Sequence, residues 1–78
     1  MRLYTLYDHL AKEAGPVFES VNDAVALRNV RQMMKNGNLE KECYSLMFLG
    51  VYDETVPAVM ALDKAEEIKE AVDGSTSV

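Results

Sequence analysis

Three cationic side chains recur along one predicted helix at a spacing suited to binding phosphate. Arg28, Arg31 and Lys35 are separated by three and four residues with no acidic residue between them, which places them along one side of the helix. Because an α-helix rises 1.5 Å per residue, the three cations lie within about 11 Å along its axis, and a nucleic acid backbone could run beside them. The alternative is an ordinary solvated helix face that carries cations.

Aromatic residues in two predicted strands offer the second feature of a single-strand binding site. Unpaired bases stack on exposed rings, and each stacked base contributes about 1–3 kcal/mol. Tyr4 and Tyr44 are the predicted stacking residues, whereas Leu46, Phe48 and Tyr52 are predicted to form a dimer interface. Aromatic residues at every second strand position are also typical of a core, so the pattern leaves both interpretations open.

Residues typical of catalysis or metal binding do not form a recognisable set. His9 has no serine, second cysteine or matched carboxylate at a familiar spacing, and Cys43 is the single cysteine. Asp8 and Asp53 each follow a predicted strand, where aspartate usually starts a turn, although together they could form a cation site. We therefore expect no catalytic residues, no metal and no cofactor.

The first half of the chain predicts two strands and a helix. Residues 2–8 are aromatic and aliphatic without glycine or proline, which indicates a strand, and residues 9–15 are predicted to form a loop. Residues 16–20 are predicted as a second strand that begins at an edge with Pro16. Asn22 can cap a helix with a Leu27, Val30 and Met34 apolar stripe, and Asn36-Gly37 can end it.

The second half is predicted to repeat this order. The apolar run from Tyr44 indicates a central strand with Leu46, Phe48 and Tyr52 on one face. A short strand over residues 58–62 and a second helix after Asp63, ended by Gly74, are predicted to follow. The expected fold is α+β, an antiparallel sheet of about four strands in β-β-α-β-β-α order with helices on one side.

The length of the chain limits how large a core a single copy can bury. The 78 residues suit one domain, predicted over residues 1–73 with a disordered tail at 74–78, and a chain this short buries only about 60% of its unfolded surface. A homodimer would supplement the small core.

Eight Lys and Arg against thirteen Asp and Glu give a net charge of −5, which argues against nucleic acid binding by bulk charge. No apolar run of membrane-spanning length or signal segment is evident, so we expect a cytoplasmic protein.

Several short motifs together resemble a known viral family. They are YTLYD, GPVFESVNDAVALR and YSLMFLGVYDET, and the resemblance covers residues 3 to about 72. In this order and spacing they resemble the small nonstructural protein of gokushovirus-type microviruses, the phage ORF-five family. The residues that carry the resemblance are Tyr7, Asp8, Pro16, Phe18, Asn22, Asp23, Arg28, Gly50, Tyr52 and Asp53.

This resemblance implies a DNA-binding protein that supports single-stranded genome production in the cytoplasm of an infected bacterium. The chain departs from the family pattern in the predicted strand that begins at Tyr44, where Met47 and Phe48 are apolar and Val51 stands in place of an acid. These departures favour a protein interface. The second hypothesis is therefore an acidic interaction or regulatory module that binds a viral or host replication protein without touching DNA.

Overall fold

The computed structural model describes residues 1–37 and 43–69, which form one antiparallel sheet and one helix. The elements in chain order are β1 (Arg2–Asp8), β2 (Glu13–Ala14), β3 (Phe18–Ser20), α1 (Asp23–Gly37), β4 (Tyr44–Asp53) and β5 (Ala58–Ile68). The strands are ordered β2-β1-β4-β5, and β3 pairs with β1 further along the edge that β2 uses. Within these residues, no helix is both long and apolar enough to cross a membrane.

Strand β1 has the predicted bounds and lies inside the sheet, whereas the predicted second strand is divided. Only Phe18–Ser20 of residues 16–20 pair with β1, and residues 13–14 of the predicted loop form β2. Pro16 has no amide hydrogen to donate to a ladder, which favours a break at this point. The chain between β2 and β3 remains hydrogen-bonded to β1. Gly15 N donates to the carbonyl of Leu6 over 3.0 Å, and Thr5 Oγ1 donates to the carbonyl of Gly15 over 2.9 Å.

Helix α1 begins and ends where the sequence predicts. The Asn22 side chain caps it, since Asn22 Oδ1 accepts a hydrogen bond of 2.9 Å from Val25 N. Asp23 in the first turn and Lys35 in the last turn complement the helix dipole. Ala26 and Val30 are the buried residues of the helix, and they hold its apolar side against the sheet.

The core lies between α1 and one face of the sheet. Its buried members are Tyr4, Ala26, Val30, Leu46 and Phe48, and partly buried apolar residues such as Leu27, Met34 and Ile68 pack around them. The Tyr4 ring stacks on Phe18 at a centroid distance of 5.9 Å and lies 5.8 Å from Phe48. The predicted central role of β4 is confirmed, because it pairs with both β1 and β5.

The predicted helix after Asp63 is wrong, because the chain continues as strand β5 to Ile68. Leu46 pairs with Ile68 and Met47 pairs with Glu67, so β5 covers the edge of β4 that would otherwise expose its backbone groups. The capping pattern of Asp63 and Glu66 is a local preference, and pairing with the ten-residue β4 outweighs it. The predicted end at Gly74 and the tail at 74–78 lie outside the described residues.

The described fold is therefore α+β-like, with a five-stranded antiparallel sheet and one helix on one side of it. Three strands precede the helix and two follow it, which differs from the predicted β-β-α-β-β-α order.

Candidate nucleic-acid interface

The cation row, which we define as Arg28, Arg31 and Lys35, lies exposed along α1. Arg31 lies next to the apolar stripe of the helix, because it lines a groove together with Leu27 and Met34. The cation row therefore borders the place where the helix meets the sheet.

This groove, which we call the helix–sheet groove, has a volume of about 220 Å³ and lies between α1 and the adjoining ends of β4 and β5. Its apolar wall contains Leu27, Val30, Met34 and Leu46. Tyr44 from the start of β4, Arg31 from the helix and Lys69 after β5 also line it. The structure thus brings an aromatic residue and two cations from three elements to one groove.

The site predicted from the sequence does not include Lys69. This residue falls in the predicted second helix, for which no contact with α1 was predicted. The pairing of β5 with β4 explains its position. Ile68 lies opposite Leu46 in the ladder, so the residue after it ends close to the start of β4. No local pattern in the sequence marks this proximity.

Tyr4 does not share the exposure of Tyr44. Its side chain is 0% exposed, and its hydroxyl donates to Asp23 Oδ1 over 2.6 Å while accepting from Arg2 Nε over 2.8 Å. Arg2 also forms an ion pair of 2.9 Å with Asp23. Burial, together with the hydrogen bond to Asp23, raises the pKa of Tyr4. Tyr4 thus joins β1 to the first turn of α1 and offers no open ring face for a base.

The predicted dimer-interface residues are divided between the two faces of the sheet. Leu46 and Phe48 are 4% and 8% exposed and belong to the core beneath α1. The Arg2 guanidinium covers the Phe48 ring at 3.8 Å from its centroid. Val51 packs against the core, so Tyr52, the next residue, projects from the opposite face. Of the three, Tyr52 alone lies on the face that α1 leaves uncovered.

A β-bulge explains this division. The register of β4 shifts between Phe48 and Gly50 relative to β5, and the pairing of β1 with β4 shifts at the same place. A bulge inserts a residue into one strand, so the alternation of faces changes phase beyond it. Strict alternation from Tyr44 to Tyr52 therefore predicted the wrong side of the sheet for Tyr52.

His9 has a partner that its sequence spacing did not indicate. His9 Nε2 contacts Ser45 Oγ, and Ser45 Oγ donates to Glu67 Oε2 over 3.2 Å. Which of His9 Nε2 and Ser45 Oγ donates depends on the imidazole tautomer. These exposed contacts connect β1, β4 and β5 as a polar bridge.

The two aspartates after strands start turns, as their positions predicted. Asp8 Oδ1 accepts from Leu10 N and Ala11 N, and Asp53 Oδ1 accepts from the amide and hydroxyl of Thr55. The Thr55 hydroxyl is the main cause that lowers the pKa of Asp53. Among residues 1–37 and 43–69, no cluster of three or more His, Cys, Asp or Glu side chains is arranged to hold a metal ion.

Comparison with known proteins gives one match. Residues 1–74 match the family model described as Phage ORF5 protein. No curated protein and no solved structure matches the chain.

Proposed function

We propose, from the premise that this chain belongs to the Phage ORF5 protein family, that it is a nonstructural microvirus protein that binds single-stranded DNA. In this proposal it supports viral genome replication or single-strand production inside the infected bacterium. The observation that carries the DNA-binding role is the meeting of Arg31, Tyr44 and Lys69 in the helix–sheet groove. The cation row continues this site along α1.

Each component matches a different part of a nucleic acid strand. Lys and Arg side chains attract phosphates, and an accessible tyrosine ring can stack against an unpaired base. Tyr44 is half-buried, so its ring is held by neighbouring residues while part of it remains accessible. A strand that lies along the cation row could place one base at the groove and its phosphates beside the helix. No base-specific donor or acceptor is required by this arrangement.

Local charge supports the proposal despite the net charge of −5. At physiological ionic strength, charges more than about 8 Å apart are largely screened from each other at the surface, so nearby cations dominate the field along α1. Of the acids within residues 1–37 and 43–69, Glu67 lines the groove, and its Oε2 atom accepts a hydrogen bond from Ser45. The expected interaction is weak, independent of base sequence and sensitive to salt.

The groove residues supply the test of this function. We expect Tyr44→Leu to weaken binding of a fluorescein-labelled oligothymidylate at least fivefold in an anisotropy titration at low salt, because one stacked base contributes about 1–3 kcal/mol. Tyr7→Leu is the matched control, since Tyr7 is a half-buried strand tyrosine outside the groove. Equal losses in the two variants would contradict a stacking role for Tyr44.

Lys69→Gln tests the electrostatic part of the same groove. Removing one phosphate contact should reduce the slope of log affinity against log salt by about 0.7. Lys64→Gln is the matched control, because Lys64 is an exposed lysine of β5 that does not line the groove. An unchanged slope for Lys69→Gln, or the same change for both variants, would remove Lys69 from the site.

A further inference from the structure

A larger cavity opens on the other flank of α1. It shares Val30 and Tyr44 with the helix–sheet groove, but none of the cations proposed to contact DNA lines it. Its volume is about 490 Å³, and it lies between α1, β1 and the segment of residues 13–18. Leu6, Pro16, Phe18, Val30 and Met33 form most of its apolar lining. A cavity of this size and apolar character is typical of a binding site rather than of a packing defect.

The charged residues that line this cavity are both acidic. They are Asp8 at the end of β1 and Glu13 in β2, and within residues 1–37 and 43–69 no Lys or Arg side chain lines the cavity. We therefore call it the acidic cavity. Asp8 Oδ1 is engaged with the turn at Leu10 and Ala11, which fixes that carboxylate at the cavity mouth. Glu13 is exposed and can reach a ligand.

We propose that the acidic cavity binds a basic, amphipathic segment of a partner protein, with apolar side chains inserted and flanking Lys or Arg residues at Asp8 and Glu13. Met33 is 46% exposed at the cavity, and its flexible side chain can adapt to an inserted apolar group. Such a partner would pack against the apolar lining and form ion pairs with the two acidic residues. This inference goes beyond the proposed DNA binding and does not depend on it.

Charge distinguishes this partner from the other candidates. DNA phosphates would be repelled by Asp8 and Glu13. Residues 70–78 of the chain itself contain Glu70 and Asp73 without any Lys or Arg. A cationic peptide is the occupant whose charge complements the rim.

Short synthetic peptides provide the probes. Isothermal titration should detect binding of a peptide with two leucines flanked by lysines, and binding should weaken at higher salt. Replacing the leucines by serine, or the lysines by glutamate, should each weaken the affinity at least fivefold. Equal affinity for the leucine and serine peptides would overturn the proposal, because it would indicate general charge attraction without insertion.

Two pairs of protein variants locate the site. Glu13→Lys should weaken binding of the leucine–lysine peptide at least fivefold, whereas Glu19→Lys, at an exposed acid of β3 outside the cavity, should leave it nearly unchanged. Met33→Lys should abolish binding, whereas Val21→Lys, at a valine that is 66% exposed outside the cavity, should not. Circular dichroism would confirm that each variant is folded.

Three further results test whether the peptide binds in the acidic cavity. If both members of either pair weaken binding equally, the acidic cavity is not the site and the proposal fails. If Met33→Lys changes the oligomeric state in sedimentation, a second copy occupies the cavity and the proposal fails in favour of self-association. Substituting the cation row by glutamine should leave peptide binding intact, which separates this result from that of the DNA site.

Discussion

The contacts of Tyr4 show why a residue type alone did not determine its role. Tyr4 and Tyr44 both occupy strands and were both predicted to stack on bases, but only Tyr44 lines a groove. The core role of Tyr4 depends on Asp23, nineteen positions later in the chain, whose carboxylate accepts the Tyr4 hydroxyl. That contact could not be predicted, because it requires the angle at which α1 crosses the sheet.

Hydrogen bonds between a side chain and a nearby backbone amide were easier to predict. Asn22, Asp8 and Asp53 bond to amides two or three residues away, so sequence spacing alone places donor and acceptor together. The bridge from His9 to Ser45 crosses two strands and gives no such signal. Predictable residues are thus those whose partners are near in sequence.

Tyr4→Phe should lower the free energy of unfolding by about 1 kcal/mol at neutral pH, because the Asp23 carboxylate loses one hydrogen bond while keeping Arg2. The folded protein raises the pKa of Tyr4 above 10.0, so its hydroxyl contributes fully below that pH and the contribution is lost as pH rises through the raised pKa. Urea unfolding of both proteins, from about pH 8 to about pH 11, should show their difference shrinking.

The matched control for this prediction is Tyr7→Phe, since Tyr7 contributes a ring contact with His9 rather than a buried hydroxyl. A Tyr4→Phe protein as stable as the wild type at neutral pH would show that the hydrogen bond to Asp23 adds nothing. A difference that grows with pH would contradict the direction of the Tyr4 pKa shift.

Among the elements, those with strong internal patterns were predicted and those defined by a distant partner were not. β1, α1 and β4 have continuous apolar patterns or caps, and their bounds agree with the sequence. β5 was predicted as a strand only over residues 58–62, and it is mostly exposed as far as Ile68, so residues 63–68 show neither strand alternation nor a buried stripe. Its conformation comes from the ladder with β4, which sequence periodicity does not reveal.

At Gly50 the backbones of β4 and β5 leave no room for a side chain. The φ of Gly50 is 154°, and a Cβ at this position would lie 2.4 Å from the Met60 carbonyl oxygen. Any side chain would therefore push β5 away at the site of the register shift. We infer that Gly50 permits the bulge that divides the faces of β4.

Gly50→Ala should lower the free energy of unfolding by more than about 2 kcal/mol, because it combines an unfavourable φ with a clash against backbone. Gly15→Ala is the matched control, since its Cβ would meet only the Leu6 carbonyl oxygen at 3.6 Å, an ordinary contact. Thermal or urea unfolding would compare the two. Similar stability losses would mean that β5 moves aside easily and that the close approach is not required.

At the scale of the whole molecule, the part of the chain that the structure describes has one helix, which covers one face of the sheet. Tyr52 and Val59 are paired across β4 and β5 on the other face, and Val59 is 56% exposed. Leu3 and Met47 alternate with core residues and project to the same side. An apolar face of this kind favours association, and a second copy could cover it by two-fold symmetry.

We predict a homodimer formed through this face, with Tyr52 rather than Leu46 or Phe48 among its contacts. Val59→Glu should dissociate it, whereas Val17→Glu, at a valine that is 60% exposed away from β4 and β5, should not. Sedimentation velocity at micromolar concentration would measure both. A wild-type protein that sediments only as an 8.7 kDa monomer, without concentration dependence, would contradict the dimer.

The distribution of charge over the molecule is the basis of the central claim. Cations concentrate along α1 and at the helix–sheet groove, whereas Asp8 and Glu13 border the acidic cavity on the opposite flank. We therefore propose that this protein, despite a net charge of −5, binds phosphates on one side and a basic partner on the other.

The salt dependence of single-stranded DNA binding tests that claim most directly. For the wild type, the slope of log affinity against log salt should be about −3 for one cation row together with Lys69, or about −6 if a dimer presents two such sites to one strand. Replacing Arg28, Arg31 and Lys35 together by glutamine should remove most of the affinity and flatten the slope, with an unchanged circular dichroism spectrum. A triple variant that binds with the wild-type affinity and slope, or a wild type that does not bind at low salt, would contradict DNA binding by the cation row.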